Sequence, residues 1–291
     1  MLDKQWEDII GHSTIKEILH SFRENNKIPQ AIIFHGMDGI GKDFISAKFI
    51  QFLNKEILPQ NQLFSSQFIK FIFPLPTGKN ETSSDDPFEK LSKNDYDNII
   101  AEINKKSLNP YHRIAIPRAN VIKINSIRDI NNYLSYNFSE INYRLVLISN
   151  ADLMNEESQN SLLKNLEEPP PGVIFVLTTD DLSKLRETII SRCWILRIPP
   201  LSEDEVKEVL IKYFQIDNEK AYLLSKLSDG SVTRALESID IDISGLKESV
   251  VNFIRTILQN KYFSAFKFIQ DSSKEINGFN LFSFISLLRN W

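Results

Sequence analysis

Short apolar runs alternate with amphipathic stretches through the first part of the chain. The amphipathic stretches carry apolar residues three and four positions apart, as Ile15, Leu19 and Phe22 do, and this spacing predicts helices. Continuous apolar strands separated by helices are typical of a parallel sheet covered on both faces. The pattern therefore predicts an α/β domain whose strands lie at residues 31–35, 68–73, 121–124, 145–148, 173–177 and 194–198.

The strand pattern ends at Pro199 and Pro200, and only helical periodicity follows. The last stretch closes on an uncapped apolar segment, 279–291, which implies either a truncated chain or packing against a partner. We expect an α/β domain, a small helical domain and a C-terminal helical segment, at residues 1–200, 201–243 and 244–291.

Composition narrows the class of protein. The 291 residues are 42% apolar, which is enough for buried cores, and 34 basic against 38 acidic residues give a net charge of -4. This balance argues against nonspecific nucleic-acid binding as the main activity. The single cysteine, Cys193, excludes a disulfide framework and a cysteine-built zinc site within one chain. Without a signal-peptide core or a membrane-length apolar run, we expect a cytoplasmic protein that binds no metal.

A glycine-rich loop at residues 36–43 lies between a predicted strand and a predicted helix. In that context, backbone N–H groups and the helix dipole converge on an anion, and a lysine adds positive charge. The pattern predicts a phosphate-binding loop made of Gly36, Gly39, Gly41, Lys42 and Asp43.

Asp43 occupies the position where the phosphate-loop pattern requires a Ser or Thr hydroxyl for magnesium. A carboxylate is favoured at a helix N-terminus by about 0.3–1 kcal/mol, but it also repels nucleotide phosphates. We therefore expect the fold of the loop to be kept and catalytic nucleotide binding to be impaired or lost. The alternative is that Asp43 itself holds magnesium.

The second half of such a site is an acidic pair at the end of a buried strand. The predicted strand at 145–148 runs instead into Ser149 and Asn150, and Asp152 is expected to begin a helix. The loop and the strand end thus both lack the required groups. An active ATPase would need Asp152 or Glu156 to replace the missing acids.

Several segments resemble bacterial clamp loaders of the AAA+ family. They are the opening residues 6–12, the strand at 176–179, the helix and proline stop at 160–170, and Thr188 to Cys193, which contains a Ser-Arg-Cys motif. The resemblance covers about residues 5–240. It implies an AAA+ P-loop domain, a helical lid and a collar-like C-terminal segment.

Within that family, the chain is similar to the noncatalytic delta-prime type of subunit. The ATPase type, gamma/tau, normally has a complete phosphate loop, an intact acidic pair and a four-cysteine zinc module, and this chain lacks all three. The resemblance implies a sensor-one strand that contains Thr178 and Thr179. It also implies a sensor-two helix in which Thr233 replaces the sensing arginine, with Arg234 about 100° further around the helix.

Arg192 is the candidate catalytic residue that the resemblance implies. In clamp loaders, the arginine of the Ser-Arg-Cys motif reaches into the ATP site of a neighbouring subunit, where a guanidinium stabilises charge in the transition state. The alternative is a surface or capping arginine. Cys193 is expected to be a small packed residue rather than a nucleophile.

The resemblance therefore implies a noncatalytic clamp-loader subunit without a cofactor of its own. Its expected partners are the gamma/tau ATPase subunits, the delta subunit, the sliding clamp and, through the assembly, primer-template DNA. Two alternatives remain open: an active P-loop ATPase subunit of the clamp loader, and an AAA+-derived adaptor outside replication.

Overall fold

The computed structural model describes residues 6–55, 63–136, 142–240, 243–275, 284–285 and 288. The chain divides into two compact units, Met1–Pro199 and Pro200–Trp291. Across the described ranges, no helix is both long enough and apolar enough to cross a membrane.

The first unit alternates strands and helices. Its strands are β1 (Ala31–His35), β2 (Ile69–Ile72), β3 (Arg144–Ile148), β4 (Val173–Thr179) and β5 (Trp194–Arg197). Its helices are α1 (Ser13–Glu24), α2 (Lys42–Asn54), α3 (Lys93–Leu108), α4 (Ile124–Ser135), α5 (Glu156–Glu167) and α6 (Glu187–Ile190).

The five strands form one parallel sheet in the order β2-β3-β4-β1-β5. In the centre, β1 and β4 pair with Ile33 opposite Leu177. All seven residues of β4 are buried, as expected for a strand covered on both faces. The predicted α/β class, a parallel sheet flanked by helices, is confirmed.

The strand predicted at 121–124 is wrong. Ile122 forms only an isolated parallel bridge to Met154, and α4 already begins at Ile124. The preceding residue, Lys123, is buried and donates to the carbonyl oxygens of Pro76 and Pro87. Three apolar residues interrupted by a lysine do not distinguish a strand from the start of a buried helix.

One core cluster holds the sheet to the helices beside it. Strand residues such as Ile33, Val146 and Phe175 pack there with Ile127 of α4 and Leu162 of α5. Because parallel strands end at the same edge, this core fixes the carboxyl ends of β1, β3 and β4 next to one another. The residues that follow these strands form the candidate site.

The second unit is helical. It contains α7 (Glu203–Phe214), α8 (Asn218–Leu227), α9 (Val232–Glu237), α10 (Ile243–Leu258) and α11 (Tyr262–Glu275). A capping box between Ser202 and Glu205 begins α7. Most of the apolar segment predicted at 279–291 lies outside the described residues, but Phe284 packs with Leu227 and Val250. The predicted separation into a lid and a C-terminal segment stays a prediction.

Candidate functional site

The loop between β1 and α2 has the backbone shape that its glycines allow. Gly39 and Gly41 have φ angles of 77° and 88°, in the left-handed region that disfavours side chains. A Cβ atom on Gly36 would lie 2.4 Å from the carbonyl oxygen of Ile198. His12, from the opening segment, contacts the carbonyl oxygen of Ile40 through Nε2 at 2.8 Å. The strand, loop and helix arrangement predicted for residues 31–53 is present.

Lys42, the lysine of the predicted phosphate loop, is directed toward the loop's own backbone. Its Nζ donates to the carbonyl oxygens of Gly36 at 2.6 Å and Met37 at 2.8 Å. Burial lowers the pKa of the Lys42 ammonium, and the nearby carboxylates of Asp38 and Asp43 partly oppose this effect. The lysine thus stabilises the glycine turn through hydrogen bonds to its backbone.

Asp43 lies where three parts of the first unit meet. Its Oδ2 accepts a hydrogen bond from Ser149 Oγ at 2.9 Å, and its Oδ1 accepts one from Thr178 Oγ1 at 3.0 Å. The Nζ of Lys106, near the end of α3, lies 3.3 Å from Oδ2. Two hydroxyl groups therefore hold this carboxylate by hydrogen bonds, and one ammonium balances its charge.

The structure brings the predicted strand-end residues together with the loop. Asn150 has a φ angle of 54°, and its backbone N–H donates to Thr178 Oγ1 at 3.2 Å. The hydroxyl of Thr179 donates instead to Asp152 Oδ1 at 2.9 Å. Burial raises the pKa of Asp152, while the bond from Thr179 opposes this. Asp43, Ser149, Thr178 and Lys106 are called here the Asp43 cluster. Thr179 lies outside this cluster and bonds to Asp152.

These residues do not fit a magnesium nucleotide as P-loop NTPases hold it. That mode needs a hydroxyl after the loop lysine and a carboxylate at the strand end, but this chain has Asp43 and Ser149 at those positions. The Lys106 ammonium also competes for Asp43 Oδ2. Within the ranges that the structure describes, no group of three or more His, Cys, Asp or Glu is arranged to hold a metal ion.

The two acids that an active ATPase would have to recruit have other partners. Asp152 accepts from Thr179, and Glu156 forms an exposed ion pair with Arg186. Both carboxylates therefore bond to groups outside the glycine loop.

Sequence reasoning missed the residues that cover the loop. Lys106, Tyr111 and Arg113 come from α3 and the turn after it, far from residues 36–43 in the chain, and no motif marks them. A Cβ atom on Gly41 would lie 2.9 Å from Tyr111 Cε1. Only the tertiary structure reveals these contacts.

Arg192 lies on the surface between α6 and β5. Its side chain is 34% exposed, and its Nη2 donates to Glu167 Oε1 at 2.6 Å. Its Nη1 donates to the carbonyl oxygen of Thr188 at 2.7 Å, which orients the guanidinium. Burial raises the pKa of the neighbouring Cys193 to about 12, so its thiol stays protonated and unreactive at neutral pH.

The predicted sensor-two residues lie in the second unit. Thr233 is buried, and Arg234 Nη1 lies 3.6 Å from Asp229 Oδ2. Their roles as sensors remain predictions.

Comparison with known proteins identifies the family. The family model described as DNA polymerase III, delta subunit, matches residues 11–202. DNA polymerase III subunit gamma of Buchnera aphidicola subsp. Schizaphis graminum is 28% identical over 242 residues, 81% of this chain and 58% of that protein. Subunit delta' of Haemophilus influenzae is 30% identical over 147 residues, 50% of this chain and 43% of that protein. The chain therefore spans less than two thirds of the length of these relatives.

A similar solved structure carries a related name. The crystal structure of a DNA polymerase III gamma subunit-related protein from Thermotoga maritima has a TM-score of 0.43 and 17% identity, and the match covers 94% of this chain and 77% of that chain. The resemblance to bacterial clamp loaders is confirmed at the level of the family. On the match over residues 11–202, the chain belongs to the DNA polymerase III clamp-loader family, which acts in DNA replication.

Proposed function

We propose that this chain is a noncatalytic, delta-prime-type clamp-loader subunit that supplies Arg192 to the ATP site of a neighbouring ATPase subunit. The observation that carries the proposal is the Asp43 cluster. The position that should supply a magnesium ligand holds a carboxylate, which is bonded to Ser149 and Thr178 and paired with Lys106. A loop with these contacts serves as a scaffold for the sheet.

The location of Arg192 supports its role in a second subunit's site. The guanidinium is partly exposed, and its acidic partner, Glu167, is itself 49% exposed. Exposed ion pairs of this kind contribute about 0–1 kcal/mol, so a phosphate anion can displace Glu167 at little cost. Arginine also matches phosphate oxygens with two parallel donors, which suits it for stabilising charge on a transferring phosphoryl group.

The partners follow from this role. A subunit that completes another subunit's ATP site has to assemble with an ATPase, which we take to be of the gamma/tau type, and the resemblance to clamp loaders adds a delta subunit and a cytoplasmic location. ATP binding would then be coupled to opening the sliding clamp and placing it on primer-template DNA. The proposal assigns residues 201–243 to a helical lid, with Thr233 and Arg234 at a degenerate sensor position. It assigns residues 244–291 to a collar that joins the subunits.

The test is a clamp loader reconstituted with the Arg192→Ala variant of this chain. We expect the ATPase rate of the assembly to fall by about 10²-fold or more, because arginine fingers contribute on the order of 10³–10⁵. Assembly, measured by gel filtration, should be kept. The matched control is Arg186→Ala, which removes an exposed ion pair with Glu156 in the same segment and should leave the rate within about twofold. Equal rates for both variants would reject the proposal.

A further inference from the structure

Residues 106–113, called here the cover segment, contact the glycine loop at three places. Lys106 pairs with Asp43 at 3.3 Å, and Tyr111 lies beside Gly41. Arg113 Nε lies 3.4 Å from Asp38 Oδ2. The contacts therefore run along most of the loop.

The pair between Lys106 and Asp43 is sheltered from solvent. The two side chains are 8% and 14% exposed, so each charge would be costly without the other. The loop's own lysine does not take this role, since Lys42 donates to backbone carbonyl oxygens. The cation that faces Asp43 thus comes from outside the loop.

Tyr111 completes the cover by packing. Its side chain is buried, and its ring meets the ring of Phe44 edge-on, with centroids 5.7 Å apart. It also lies against the side of Gly41 where a side chain would project. An internal aromatic ring therefore holds the junction between the loop and α2.

The cover segment is itself anchored to α3 through Glu102. The Glu102 carboxylate accepts from Lys105, from His112 Nε2 at 2.8 Å and from the backbone N–H of Ala115 at 2.9 Å. The bonds from His112 and Ala115 therefore tie the chain that follows Tyr111 back to α3.

We propose that the cover segment is a built-in substitute for the magnesium nucleotide, with Lys106 as the cation for Asp43 and Tyr111 as the packing group. The loop then keeps its strand-to-helix geometry without a ligand. This inference rests on the proposed function, because it explains how a subunit that does not hydrolyse ATP retains the shape of the loop. Lys106 and Tyr111 act as positioning residues.

The test is hydrogen exchange on the full chain. In Lys106→Met, amides of residues 36–43 and of the first turn of α2 should exchange about tenfold faster, because a sheltered carboxylate loses its cation. The matched control is Lys93→Met, which removes an exposed lysine from the first turn of the same helix and should leave exchange in the loop within about twofold. Equal exchange in both variants would overturn the proposal.

A double variant distinguishes loss of the ion pair between Lys106 and Asp43 from nonspecific destabilisation. Asp43→Asn combined with Lys106→Met removes both charges, so protection of the loop should return to within about threefold of the wild type. If the double variant exchanges as fast as Lys106→Met, the ion pair is not what holds the loop. Tyr111→Leu provides an independent measurement if Lys106→Met does not fold, and it too should speed exchange in the loop.

The final arm adds millimolar ATP and magnesium to the wild-type chain. Exchange in residues 36–43 should not change, because the cover segment already supplies the contacts. A magnesium-dependent slowing of exchange would show that a nucleotide orders the loop and would reject the inference. Because this experiment does not involve Arg192, the inference about the cover segment and the proposal about Arg192 can each be rejected separately.

Discussion

The charged groups of the glycine loop and of the surface around Arg192 differ in their burial and in their bonding partners. Among the residues that the structure describes, the sheltered Asp43 has three partners, whereas the partly exposed Arg192 has one carboxylate and one carbonyl partner. A group whose hydrogen bonds are met internally has little to offer a ligand. A group held by one backbone carbonyl and one exposed carboxylate can exchange the carboxylate for a phosphate at low cost. The difference favours Arg192 as the residue that acts on ATP.

The largest effect on stability should come from Thr178→Val, which breaks the cluster around Asp43. The change removes a donor to Asp43 and an acceptor for the N–H of Asn150 at a fully buried position. We expect a loss of about 2–3 kcal/mol in the free energy of unfolding, measured in urea. Thr188→Val, at an exposed position near Arg192, should change it by less than about 0.5 kcal/mol. Equal losses would contradict the contrast between the two regions.

Substitution of Glu102 should have the next largest effect on the free energy of unfolding, and this effect should depend on pH. Burial alone would raise the pKa of Glu102, but hydrogen bonds from Lys105, Ala115 and His112 outweigh it and lower the pKa from 4.5 to about 2. A lowered pKa in the folded state stabilises the fold above pH 4.5, and this stability is lost as the pH falls toward 2.

Glu102→Gln should therefore cost about 1–3 kcal/mol at pH 7 and much less near pH 2. Urea unfolding of the two proteins across this range gives the difference in free energy. A difference that stays constant with pH would show that the carboxylate charge does not anchor the cover segment.

The smallest effect should come from Glu167→Gln, which releases Arg192 from its carboxylate. Since the ion pair is exposed, the free energy of unfolding should change by less than about 1 kcal/mol in thermal or urea melts. Glu156→Gln, which removes the acidic partner of Arg186, is the matched control and should behave alike. A loss above about 2 kcal/mol for Glu167→Gln alone would show that the ion pair stabilises the fold and that Arg192 is not readily available to a ligand.

The sequence was sufficient for features that depend on local order. Apolar runs located the sheet strands, and the glycine spacing located the loop, because both patterns reflect short-range geometry. That a hydroxyl is missing after Lys42 and an acid is missing at the strand end could be read directly at Asp43 and Ser149. The strand expected at 121–124 is wrong because three apolar residues around Lys123 do not distinguish a strand from a helix start.

The partners of Asp43 could not be predicted in the same way. Lys106 and Tyr111 contact the loop only because α3 and its following turn fold back onto α2, and that approach has no periodic or motif pattern. The ion pair of Arg192 with Glu167 is likewise a tertiary contact. Motif reasoning identified the residues at the predicted site, and the structure was needed to show what holds each of them.

The most direct measurement compares Lys42→Met and Arg192→Ala in the same reconstituted clamp loader. Melting of each variant chain first establishes that it is folded. The proposed function predicts that Lys42→Met keeps the ATPase rate within about threefold, because the loop of a noncatalytic subunit would hold no catalytic nucleotide, whereas Arg192→Ala lowers the rate by about 10²-fold or more. A large loss with Lys42→Met and a normal rate with Arg192→Ala would contradict it, and would make the glycine loop the working ATP site.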